Sequence, residues 1–217
     1  MKIDITRHLG ATQREVALRD HEGTPAQVVT VRRRFDTEID DVWDAITDPT
    51  RIVRWLLPVS GELRLGGRYQ LEGNAGGEIT RCEPPRHLAV TWEYGDQLSW
   101  VRATLTEIEP GTTELRVEHL SHTPEDFWER YGPGATGLGW ELMLMGLSEH
   151  LGGAPAVDHA AAEQWPATED GRRFVAVSGR GWADASIAAG TPANAAQGAA
   201  DRTVAFYTGA PEPDAPT

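Results

Sequence analysis

The chain predicts an α+β fold: a curved antiparallel sheet of about seven strands, two short helices after the first core strand, one long helix after the sheet, and an added α-helical C-terminal extension. Three observations point there. Apolar and polar residues alternate in runs between Arg68 and Leu120, separated by short turns rich in glycine, proline and asparagine, as in a meandering sheet with one dry face. Ile39, Val42, Trp43 and Ile46 stand at helix spacing just after the run ending at Phe35. The long stretch 134–151 gathers Trp140, Met143, Leu144, Leu147 and Leu151 on a helix, and a sheet and a helix with dry faces bury them against each other.

Residues 12–19 and 27–35 read as strands around His21-Glu22-Gly23, a turn with glycine available for positive φ. Asp36 or Thr37 is placed to cap the first short helix. Asp48-Pro49 opens the second, which carries Ile52 and Trp55 and closes at Pro58. Leu63 and Leu65, then Tyr69 and Leu71, alternate with charged or amide residues, and Gly66-Gly67 reads as a two-residue hairpin turn between them. Further strands are expected near 77–82, 87–94, 99–108 and 113–120, and a helical turn at 126–131.

The chain divides into an N-terminal extension with an edge strand (1–26), a core domain (27–152) and an Ala-rich extension (153–217). In the last segment, Pro192 starts and Gly209 stops a helix over 193–208. Phe174, Trp182, Val204, Phe206 and Tyr207 give this extension enough apolar surface to dock, on the domain's outer surface, over the mouth of a cavity or as a homodimer contact. Residues 211–217 are expected to fray.

With 33 acidic against 20 basic residues the net charge is -13, which disfavours nucleic-acid phosphates and anionic membranes as partners. Arg32, Arg33 and Arg34, the one basic run, read as a strand end with a solvated face. One cysteine, Cys82, precludes an internal disulfide and fits a reducing compartment; no secretory core or membrane span is present, so a cytoplasmic protein is expected.

Two segments, FDTEIDDVWDAITDPTRIVRWLLPVSGELRLGGRYQLEG (35–73) and CEPPRHLAVTWEY (82–94), with the helix over 137–151, resemble the SRPBCC (START-like, helix-grip) superfamily. Within it they resemble bacterial homologues of the C-terminal domain of the Hsp90 ATPase activator. The resemblance implies a helix-grip fold, the sheet wrapped around the long helix, often with a cavity between them. The activators it resembles carry a separate N-terminal domain, for which 1–26 is too short, so a chaperone partner is the less favoured reading.

Strand parity decides which polar groups would face such a cavity. If Leu115 and Val117 point inward, so does His119; if Leu88 and Val90 do, so do Trp92 and Tyr94. His119 is then a core histidine tied to a main-chain carbonyl, a polar handle for a ligand, or a general acid or base of the polyketide cyclase/dehydratase type. Aromatic and apolar residues suit a small-molecule site, so the expected pocket is Trp55, Tyr69, Leu71, Ile79, Trp92, His119, Trp140 and Met143, and the expected partner a small hydrophobic or aromatic molecule. No catalytic group is assigned. His119 and His122, three apart at a strand end, point to opposite faces, and neither a metal nor a cofactor is expected.

Overall fold

The computed structural model describes residues 3–213. Eight strands form one sheet: β1 (Thr12–His21), β2 (Thr24–Phe35), β3 (Val59–Gly61), β4 (Arg68–Leu71), β5 (Gly76–Glu83), β6 (His87–Tyr94), β7 (Gln97–Glu109) and β8 (Thr112–Ser121). Their order is β1-β2-β8-β7-β6-β5-β4-β3, one strand more than the seven expected. The helices are α1 (Ile5–His8), α2 (Ile39–Thr47), α3 (Pro49–Ile52), α4 (Glu125–Tyr131), α5 (Gly134–Leu151), α6 (His159–Gln164), α7 (Glu169–Ala188) and α8 (Ala193–Thr208). This is the α+β helix-grip architecture with an added helical extension. Among the described residues no helix is long and apolar enough to cross a membrane.

The chain forms two compact units that group its segments differently from a division at 26/27 and 152/153. One comprises Arg32–Ser121 and Met143–Val157; the other takes residues 3–31, His122–Leu142 and residues 158–213 of the described chain.

In the first unit, α2 buries Ile39, Val42, Trp43 and Ala45, and Asp40 and Asp41 sit in its first turn, where the helix dipole favours negative charge. Its cap differs from expectation. Glu38 occupies the cap position without a side-chain bond, while the Thr37 hydroxyl donates to Asp41 Oδ2 at 2.8 Å. The Thr37 carbonyl, in turn, accepts from Thr113 Oγ1 at 2.8 Å. Asp48 does cap α3, its carboxylate accepting from Thr50 N at 2.8 Å, but that helix is a single turn ending at Ile52.

The expected hairpin at Gly66-Gly67 is not formed. β3 ends at Gly61, opposite Tyr69, and residues 62–67 make a wider loop. Gly66 N donates to the Ile79 carbonyl and Ile79 N to the Gly67 carbonyl, at 2.8 and 2.9 Å, so the glycines dock on β5. A Cβ on Gly67 would collide with the Glu62 carbonyl, which explains the glycine. Leu65 is consequently 59% exposed, whereas Leu63 packs inward.

The arginine run also departs from a solvated face. Arg33 is 5% exposed, donates to Ser148 Oγ of α5 at 2.8 Å and lies 5.7 Å from the centre of the Phe35 ring. Strand alternation places it with buried Val31 and Phe35, while Arg34 points out to Glu114.

The second unit is organised around Glu141, 1% exposed on α5. Arg14 of β1 holds its carboxylate in a two-pronged ion pair (2.7 and 2.6 Å), and Ser178 Oγ and Trp182 Nε1 of α7 donate at 3.0 and 2.7 Å. Four donors on one buried carboxylate offset the cost of removing it from water. Helices α7 and α8 approach through Ala183, Ala196 and Ala200, where small side chains permit close contact. α8 spans the residues expected and ends on Gly209 at φ 66°, the left-handed cap that glycine adopts without a steric penalty. Glu212, expected to fray, holds Arg130 at 2.6 Å; residues 214–217 of that expected frayed end lie outside the described residues.

Candidate functional site: an apolar sheet face with a histidine

The register of the first unit decides which side chains share a face. Trp92 pairs with Ser99, Val90 with Val101 and Leu88 with Ala103; across the next ladder Val101 pairs with His119, Ala103 with Val117 and Leu105 with Leu115. Directly paired residues share a face, so Leu88, Val90, Trp92, Ser99, Val101 and His119 stand together, and Ile79 joins them opposite Val90.

Next to this face, Ile52, Tyr69, Leu71 and Ile79 form a buried cluster. Leu56, Leu57, Val59, Leu63, Cys82, Leu88, Val90 and Trp92 pack against it while keeping part of their surface exposed. Tyr69, Leu71, Ile79 and Trp92, all expected at the site, are therefore brought together. Trp55 is half-buried beside α3, its Nε1 donating to the Ala45 carbonyl at 2.9 Å, and a Cβ on Gly146 of α5 would lie 2.7 Å from its carbonyl oxygen. Met143 is half-buried on the part of α5 in this unit, whereas Trp140 lies on the part assigned to the other unit. Tyr94 has the parity of Trp92 but is 60% exposed, because β6 ends there.

The polar centre of the face is a short chain of hydrogen bonds. Ser99 Oγ lies 2.8 Å from His119 Nε2 and donates to the Trp92 carbonyl at 3.0 Å. A serine hydroxyl has one proton. With that proton on the carbonyl, the oxygen accepts from His119, which fixes Nε2 as the protonated nitrogen of a neutral ring. Burial pushes the His119 pKa down to about 4, in keeping with that neutral form. The Trp92 and His119 rings meet edge to face, with centroids 6.2 Å apart. Tyr69 is a second buried polar group; its hydroxyl donates to the Thr91 carbonyl at 2.8 Å, and burial, followed by the charge of Glu93, raises its pKa.

The sequence reading missed Ser99 as a partner of His119. The available signal was the turn at Gly95-Asp96, which sets Ser99 opposite Trp92 once the ladder is drawn. Ile52, Leu56, Leu57 and Leu63 were not among the residues expected here, because they join the cluster from a helix and irregular chain where strand parity does not apply. His122 takes no part in this face: it stacks on His21, centroids 6.2 Å apart, and approaches the Pro25 carbonyl at 3.2 Å.

Among solved structures, the crystal structure of CalU16 from Micromonospora echinospora is 35% identical over 81% of this chain and 98% of that chain, with a TM-score of 0.65. Its solution structure gives 35% identity over 82% and 97%, with a TM-score of 0.67. The protein MLL2253 from Mesorhizobium loti is 27% identical over 58% of this chain and 96% of that chain, at a TM-score of 0.52. No curated protein matches the chain. The family model described as Activator of Hsp90 ATPase homolog 1-like protein matches residues 36–152, the helices α2 and α3, strands β3 to β8 and the whole of α5, and the chain belongs to that family.

Proposed function

We propose that this protein binds a small hydrophobic or aromatic molecule on the sheet face built from Tyr69, Leu71, Ile79, Trp92 and His119, with Met143 and Trp55 as further lining. The observation that carries the reading is the state of β6. It lies between β5 and β7, yet every residue from His87 to Glu93 keeps part of its surface exposed, including Leu88, Val90 and Trp92 on the inward face. In a filled two-layer core, an interior strand alternates between sealed and exposed positions. Partly exposed apolar side chains around a few polar groups suit a small-molecule site.

His119 acts here as a hydrogen-bonding handle. With its pKa near 4 and its Nε2 proton committed to Ser99, it is neutral at pH 7, which supports orientation of a ligand over service as a general acid. The test is a thermal-shift and tryptophan-fluorescence screen with aromatic and lipid-like small molecules. A true ligand at a hundred times its Kd adds about 2.7 kcal/mol to stability. That gain should disappear in Trp92→Ala, while circular dichroism remains native. A screen in which no compound raises the Tm, or in which Trp92→Ala binds as well as the parent, overturns the reading.

A further inference from the structure

In the second unit, an aromatic strip crosses two helices at the surface. Phe127 and Tyr131 stand one turn apart on α4 with centroids separated by 5.1 Å; Tyr131 meets Phe206 of α8 at 6.2 Å, and Phe206 meets Tyr207 at 5.6 Å. Phe206 is 72% exposed and Phe127 44%, whereas the other two of the chain's four phenylalanines, Phe35 and Phe174, are buried. The strip adjoins a depression. Tyr207 also lines a surface cleft of about 530 Å³ formed with Glu163, Gln164, Ala167, Thr168, Thr208 and Gly209.

The local structure that presents the strip is well tied down. Thr203 Oγ1 donates to the Tyr131 carbonyl at 2.7 Å, Arg202 to the Arg130 carbonyl at 2.6 Å, and Tyr207 to the Ala135 carbonyl at 2.8 Å. Burial raises the Tyr207 pKa to about 12, so this anchor stays protonated through the physiological range. The aromatic rings are thus held on a fixed support, which lowers the entropic cost of engaging them.

The surrounding charge selects the partner. Glu125, Asp126, Glu129, Glu163 and Asp201 are exposed on the helices that carry the strip and the cleft. The two nearby arginines are already engaged: Arg130 with Glu212, and Arg202 with the carbonyls at the end of α4. Exposed acids on these helices, with Asp126 next to Phe127 in the chain and Glu163 in the cleft, match a partner with cationic groups flanking apolar anchors, and they repel an anionic membrane. They also disfavour a second copy, since each chain carries a net charge of -13.

We infer that the α4–α8 face, with Phe127 and Phe206 as its anchors and the Tyr207 cleft at its side, docks a basic amphipathic helical segment of another protein. This inference is independent of the small-molecule site.

The probe is a labelled helical peptide with leucine on one face and lysine on the other, set beside the same peptide with glutamate in place of lysine. Fluorescence anisotropy should show saturable one-to-one binding of the lysine peptide only. Phe206→Ala should weaken it roughly tenfold or more, as expected for an aromatic anchor, and added salt should weaken it further. Phe206 is exposed, so the variant should keep its native circular dichroism. Parent-level affinity in both Phe206→Ala and Phe127→Ala would mean diffuse attraction to an acidic protein and overturn the inference. So would a parent dimer in sedimentation that Phe206→Ala dissociates, because a second copy would then be the occupant.

Discussion

His119 and Trp92 are joined through one hydroxyl: His119 Nε2 lies 2.8 Å from Ser99 Oγ, which donates to the Trp92 carbonyl at 3.0 Å. The arrangement holds a neutral imidazole at the centre of an apolar face. An NMR titration of His119 should therefore show a midpoint near pH 4, far below the roughly 6.5 of a free histidine. Between those values the unfolded chain binds the proton and the folded chain does not. Stability from this group is thus complete above about pH 6.5, falls as the pH drops towards 4, and levels off below. The loss over that window is roughly 3 kcal/mol at about 1.4 kcal/mol per unit. A midpoint near 6.5 would contradict the burial of His119 described above.

Tyr69→Phe removes the donor to the Thr91 carbonyl and should cost about 1 kcal/mol at pH 7, read by urea denaturation. The pKa of Tyr69 is raised, so the folded state resists ionisation that the unfolded state undergoes above about pH 10. The parent loses stability in that alkaline range and the variant does not lose the part due to Tyr69. The gap between them should narrow as the pH rises past 10.

Glu141→Ala leaves the Arg14 guanidinium, the Ser178 hydroxyl and the Trp182 indole facing a hole inside the second unit. Removing one partner of a buried ion pair costs about 3–5 kcal/mol, so the variant should unfold at far lower denaturant than the parent. Glu141→Gln, which keeps a hydrogen-bonding group, should fall between the two.

Gly137→Ala sets two effects against each other. Alanine is the better helix former by about 1 kcal/mol, but its Cβ would enter the space of the Trp182 ring. Overpacking of that kind costs about 1–3 kcal/mol, so the variant should be less stable on balance and show altered tryptophan fluorescence. A stabilised variant would contradict the packing of α5 on α7.

Much of the candidate face was legible from alternation. Once Leu115 and Val117 are taken as inward, His119 follows, and Trp92 follows from Leu88 and Val90; both placements need only the two-residue period of a strand. Asp48-Pro49 was legible because a capping carboxylate and a following proline act within one turn. Gly66-Gly67 misled for the opposite reason: their conformation answers to Ile79 and Glu62, and not to a local hairpin. Arg33 shares the parity of Val31 and Phe35, but the partner that makes its burial tolerable, Ser148, stands 115 residues away. Glu141 did carry a sign, a carboxylate set between Trp140 and Leu142 in an apolar stretch, but its partner Arg14 lies 127 residues back.

The Glu141 quartet also bears on how the chain is made. Arg14 emerges early in synthesis, Glu141 late, and Ser178 and Trp182 later still, separated from Glu141 by 37 and 41 residues. A product cut short after α5 would hold the carboxylate with half of its donors and no Trp182 over Gly137. Domains generally fold as units during synthesis, and a half-satisfied buried charge is costly. A chain truncated after α5 should therefore be cut by proteases faster than the full chain, because its carboxylate lacks the α7 donors that complete the second unit.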